Sequence, residues 1–169
     1  AYLMVEKFGY TLDEIAMLFL LNKAANIVIA PLLGKLIEKI GERRALTIEY
    51  VGLIIVFVGY AMVESALIAA ILYVVDHLFF GLAIGIKTYF QKIADSEDMA
   101  ATQSVSFTID HTASVIIPIT FGLIWMSDPS LVFYAGAGFA VLSLIASNLI
   151  SRNPEPGNEF IWSTKKVIA

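Results

Sequence analysis

The sequence predicts an all-α protein, a polytopic bundle of five transmembrane helices. Three observations predict it. Apolar residues make up 59% of the 169-residue chain and charged residues 15%, against about 45–50% and about 25% in soluble domains. Five apolar spans, 15–33, 46–63, 66–86, 105–126 and 131–150, each have the length a helix needs to cross a bilayer. Lipid offers no partner to backbone N–H and C=O groups, so helix is the conformation such spans adopt. Charge is segregated as well: only Lys23, Glu49, Asp76 and Asp110 fall inside the spans, and all other charges sit in connections and tails. The same numbers exclude disorder, which needs little apolar surface and much charge. A net charge of −4 without a basic stripe argues against nucleic acid as a partner. The absence of cysteine excludes disulfides and thiolate metal sites.

The first span opens at Thr11-Leu-Asp-Glu14, a capping box in which Thr11 caps and Glu14 occupies the third helical position. Asp13 and Glu14 also suit the positive end of that helix. A connection at 34–45 carries Lys35, Lys39, Arg43 and Arg44, and Glu49 lies one turn into the second span, where it is expected to contact Arg43 and Arg44. Residues 64–65 join the second and third spans. The third holds Gly81 and Gly85, a G-x-x-x-G pair that either permits close helix contact or has no special role. Connection 87–104 carries Lys87 and Lys92. Pro118 is expected to kink the fourth span and free the carbonyl of Ser114. Ser127-Asp-Pro-Ser130 reads as a tight hairpin before the fifth span. The tail, 152–169, carries Arg152, Lys165 and Lys166 and reads as an exposed, poorly structured end. Basic residues thus mark 34–45, 87–104 and the tail, while 64–65 and 127–130 have none. The positive-inside rule then places the N-terminus outside and the C-terminus in the cytoplasm.

Ionisable groups inside a membrane are costly and are functional candidates by default. Lys23 lies mid-span between Asn22 and Asn26, which share a helix face. It either faces a central cavity or forms a structural ion pair with Asp76 or Asp110. Asp76-His77 and Asp110-His111 repeat one acid–imidazole pair in two spans, a pattern suited to proton relay. Ser106, Asp110 and Ser114 follow i, i+4, i+8 spacing and form one polar stripe, facing either a cavity or a neighbouring helix. Two His and two Asp could supply nitrogen and oxygen ligands, but they lie on different helices without ligand spacing, so no metal or cofactor is expected. The sequence carries no P-loop, nucleophile elbow or G-x-G-x-x-G, and an enzyme is not expected.

The segment Gly34-Lys-Leu-Ile-Glu-Lys-Ile-Gly-Glu-Arg-Arg44 resembles the signature loop of the major facilitator superfamily, G-x-L-x-D-[RK]-x-G-[RK]-[RK]. Gly34, Leu36, Lys39, Gly41 and Arg43 match, Arg44 extends the basic pair, Glu38 keeps the charge of the usual Asp, and Glu42 stands where the family has a basic residue. The resemblance implies a partial major-facilitator fold. The five spans would be helices eight to twelve, with helices two to six of the N-terminal half as the runner-up, residues 1–11 the outer end of helix seven, and the loop charges an interhelical relay on the cytoplasmic side. It also implies secondary active transport of a small molecule in the cell (inner) membrane, with a missing N-terminal half as partner beside the lipid bilayer; protons as a coupling ion are suggested by the two acid–imidazole pairs, not by the resemblance. Lys23, Asn22, Asn26, Asp76, His77, Ser106, Asp110, His111 and Ser114 would line the substrate and proton pathway. Two other readings are a non-transporting scaffold or sensor built on the same fold, and an intramembrane metal-dependent enzyme.

Overall fold

A computed structural model describes residues 2–95 and 97–163. The chain runs through α1 (Tyr2–Phe8), α2 (Leu12–Ile40), α3 (Glu42–Met62), α4 (Ala66–Phe80), a 3-10 turn (Gly81–Ala83), α5 (Ile84–Ile93), α6 (Met99–Ser127) and α7 (Pro129–Leu149). Five helical stretches are long and apolar enough to cross a membrane: α2, α3, the α4–α5 stretch, α6 and α7.

The capping box opens α2 as its sequence dictates: the Thr11 amide donates to Glu14 Oε2 at 2.8 Å and the Glu14 amide to Thr11 Oγ1 at 3.3 Å. The ends of the helices are less predictable from hydropathy. α2 continues through the basic segment to Ile40, so the expected 34–45 connection shrinks to Gly41, whose φ of 83° favours glycine. Lys35, Glu38 and Lys39 are good helix formers, and leaving the apolar band gives a helix no reason to stop. The 87–104 connection shortens likewise: α5 extends to Ile93 and α6 begins at Met99. Between α6 and α7 only Asp128 is non-helical; its carboxylate accepts from the Ser130 amide at 2.8 Å, with Pro129 in the first turn. Pro31 and Pro118 lie within α2 and α6 without ending them.

α3 is the central helix. It packs along α7 and also touches α2, α4, the 3-10 turn and α5, whereas α6 leans on α7. No residue of α6 is buried. Glycines set the close approaches. A Cβ at Gly52 would overlap the Phe79 ring, one at Gly81 would sit 2.5 Å from Leu33 Cδ1, and one at Gly85 would sit 3.4 Å from Leu46 Cδ2. The G-x-x-x-G pair is therefore a packing device, with one glycine against α2 and the other against α3.

Two apolar clusters close the ends. At one end α1 inserts Leu3 and Met4 among Val56, Tyr60, Val63 and Tyr73. Lys7 Nζ donates to the Val63 carbonyl at 2.6 Å, Tyr10 Oη to the Ala66 carbonyl at 3.0 Å, and Trp125 Nε1 to Glu6 Oε2 at 2.6 Å. At the other end Ile37, Ala45 and Leu82 pack below the Gly41 corner. The described part of the tail, 152–163, also lies there; it is mostly exposed and without helix, yet it is tied down. Ile150 and Phe160 form an antiparallel bridge, the Ser151 amide donates to the Glu159 carbonyl at 2.9 Å, and Tyr89 Oη donates to that carbonyl at 2.7 Å. Turn residues Pro154, Pro156 and Gly157 let the chain reverse and satisfy its own backbone. Lys165 and Lys166 lie outside the described residues.

Candidate functional site

The intramembrane polar residues fall into two groups. In the first, α2 places Asn22 and Asn26 one turn apart on the face that meets α4. Together with Val74 and His77 they line a cleft of about 100 Å³. Asn22 is buried and its Nδ2 has no hydrogen-bond partner. His77 Nδ1 lies 2.9 Å from the Tyr73 carbonyl. A carbonyl only accepts, so Nδ1 carries the proton and a neutral ring keeps Nε2 as an acceptor. The Tyr73 ring lies 4.5 Å from the imidazole, centroid to centroid. Asp76 Oδ2 stands 3.9 Å from His77 Nδ1, too far for a hydrogen bond, and its Oδ1 is buried without a partner. The cleft thus gathers an amide donor and an imidazole acceptor. The adjacent carboxylate lies about 100° round the helix.

Lys23 points away from this cleft. It is exposed, its ammonium rests 5.0 Å from the Phe19 ring centroid, and among the described residues it forms no ion pair with Asp76 or Asp110. The structural ion pair considered for it is absent from this arrangement.

The second group is on α6. Ser106, Asp110, His111 and Ser114 are all exposed. Ser114 Oγ donates to the Asp110 carbonyl at 2.7 Å, and His111 Nδ1 lies 3.0 Å from the Phe107 carbonyl. Ser104, Thr108 and Thr112 tie back to carbonyls one turn earlier in the same way. Those three lie about 160° round α6 from the Ser106–Asp110–Ser114 stripe; on the stripe the Ser114 hydroxyl is satisfied within the helix, and the exposed Asp110 carboxylate is left to meet water or a ligand. Among the described residues no group of three or more His, Cys, Asp or Glu could hold a metal ion, and the two Asp-His pairs do not meet.

The signature segment forms a charged corner. Glu38, Lys39, Arg43 and Arg44 line a groove of about 570 Å³ with Lys92 and Arg152. Leu36 is exposed on the α2 surface, and a Cβ at Gly34 would meet nothing. Glu42 is 3% exposed and pairs with Lys92 Nζ at 2.6 Å. Charge reversal within a basic motif was the signal that a compensating cation stood nearby; sequence spacing alone could not name Lys92, fifty residues away. Glu49 corrects a further expectation. It is buried, Oε2 has no partner, and it forms no ion pair with Arg43 or Arg44. Those arginines lie five and six residues earlier, about 140° and 120° from it around α3. In the tail, Glu159 is held below the ordinary carboxylate range by hydrogen bonds from its own amide, then from the Gly157 amide and the Ser163 hydroxyl.

The model of the Major Facilitator Superfamily matches residues 1–118. A protein of Methanocaldococcus jannaschii described as an uncharacterized MFS-type transporter is 28% identical over 111 residues, which is 65% of this chain and 28% of that relative. The chain therefore spans little more than a quarter of that relative's length. No solved structure matches the chain.

Proposed function

The chain belongs to the major facilitator superfamily, a family of transporters rather than enzymes, and from that premise we propose that it forms part of the C-terminal half of a secondary active carrier for a small molecule. In this reading α2 to α7 are helices eight to twelve, the charged corner and the tail lie on the cytoplasmic face of the cell (inner) membrane, and an N-terminal half supplies the other wall of the pathway.

The observation that carries the proposal is where the polar groups lie. Lys23 and Asn26 on α2, and Ser106, Asp110, His111 and Ser114 on α6, are exposed within stretches long and apolar enough to cross a membrane. Facing lipid, such groups are costly; facing a water-filled cavity at the midplane, they bind substrate and coupling ion. Asn22, Asn26 and His77 offer neutral hydrogen bonding, Lys23 offers a cation, and Asp110 is the first candidate for proton coupling. Asp76 is the second, with His77 and His111 as partners.

The test uses the lack of cysteine in this chain, with any cysteine elsewhere in the carrier replaced by serine. Single cysteines at Asn26 and Ser114 in the full-length carrier should react with a charged, water-soluble thiosulfonate much faster than one at Phe139, an exposed α7 position of apolar surroundings. Equal, slow labelling at all three would place the polar faces in lipid and end the cavity reading. In the same carrier, Asp110→Asn should abolish accumulation driven by a pH gradient and spare equilibrative exchange.

A further inference from the structure

The charged corner holds a second cavity with different chemistry. Between the first turn of α3 and the end of α7, Arg43, Arg44, Thr47, Ile48, Asn148 and Arg152 line a cleft of about 340 Å³. Among the described residues this lining contains no carboxylate, and none of the three arginines forms an ion pair. The nearest acid in sequence, Glu42, is committed to Lys92. Arg43 and Arg44 also lie in the first turn of a helix, where the backbone dipole disfavours cations. Glu38, Glu42 and Glu155 line the neighbouring groove beside the same three arginines, but none of them enters this cleft, so the guanidinium groups converge here with no carboxylate in the lining.

What leads away from the cleft defines its occupant. On α3, Ile48, Val51 and Ile55 are exposed at i, i+3 and i+7; on α7, Val141 and Ile145 are exposed seven and three residues before Asn148, within about 60° of it around the helix. α3 and α7 pack against each other along their length. Two apolar stripes thus flank one seam and descend from the arginines towards the bilayer centre. A soluble phosphate would use the guanidinium groups and leave the stripes idle. We propose that this cleft binds the phosphate of an anionic glycerophospholipid, with its acyl chains lying along the α3–α7 seam. Arginine forks match phosphate oxygens bidentately, and basic pockets at the cytoplasmic ends of membrane helices suit such headgroups.

The experiment is native mass spectrometry of the detergent-purified chain with added phosphatidylglycerol or phosphatidylcholine. Phosphatidylglycerol should be retained in clear excess over phosphatidylcholine, and each arginine should contribute a factor of about five to that excess. Arg43→Gln/Arg44→Gln/Arg152→Gln should remove it, with helical content checked by circular dichroism. Arg152→Gln alone, outside any helix, should weaken it measurably and serves if the triple variant misfolds. Lys39→Gln, which lines only the neighbouring groove, should leave it intact. Equal retention of the two lipids, or an excess that survives loss of the arginines, overturns the site. Displacement of phosphatidylglycerol by millimolar inorganic phosphate overturns the lipid as its occupant.

Discussion

Glu42 and Glu49 are two buried carboxylates on one helix with opposite circumstances. Glu42 has Lys92 at 2.6 Å; Glu49 has an oxygen sealed from water with no partner. Removing one member of a buried pair strands the other, whereas removing both does less harm. Lys92 is half exposed, so solvent softens the effect. Glu42→Ala should therefore destabilise the chain by roughly 1–3 kcal/mol, and Glu42→Ala/Lys92→Ala should lose less than the two single changes added together. Thermal unfolding in detergent, run as a double-mutant cycle, measures that coupling. Additive losses would make the pair an incidental contact. Glu42→Arg, which restores the basic residue of the family pattern, should be worse than Glu42→Ala because it sets like charges together.

At the scale of elements, glycine decides how near helices come. Gly52 faces Phe79 with no space for a side chain. Gly52→Val should cost about 1–3 kcal/mol through overpacking, and Phe79→Ala in the same chain should recover part of it. Gly138→Ala, where a Cβ meets nothing, is the control. If all three changes shift the unfolding temperature alike, the α3–α4 approach is not set at Gly52. The elements themselves were largely legible in the sequence, for a simple reason: apolar runs mark what lipid must cover, and the Thr11 capping box marks where a helix begins. Helix ends beyond the membrane band were not legible. Hydropathy falls at Lys35, but backbone hydrogen bonding persists to Ile40 until glycine interrupts it. The site was legible in part. Asn22 and Asn26 were placed on one face by their spacing, and His77 joins them only because α4 packs there. Arg152 looked like an ordinary tail charge because its neighbours on α3 are more than a hundred residues away.

The whole molecule has two unlike ends. One gathers α1, the 63–65 link and Asp128; the other gathers Gly41, the end of α5 and the tail. Basic residues crowd the second end, and the positive-inside rule predicts that it faces the cytoplasm. Single cysteines at Asp128 and Lys39 report this directly: in intact cells an impermeant maleimide should label the first and not the second. The reverse pattern would invert the orientation and with it the side from which Asp110 meets water. Between those ends the α4–α5 stretch is not one rigid rod, since the 3-10 turn at Gly81–Ala83 interrupts it. From that turn to Lys92 the lever is about 14 Å long at 1.5 Å per residue. A swing of about 10° at the turn would carry the lysine roughly 2 Å. The ion pair is therefore an angular tether: it ties the far end of α5 to the first turn of α3, and a bend at Gly81 larger than the lysine side chain can follow must first release it.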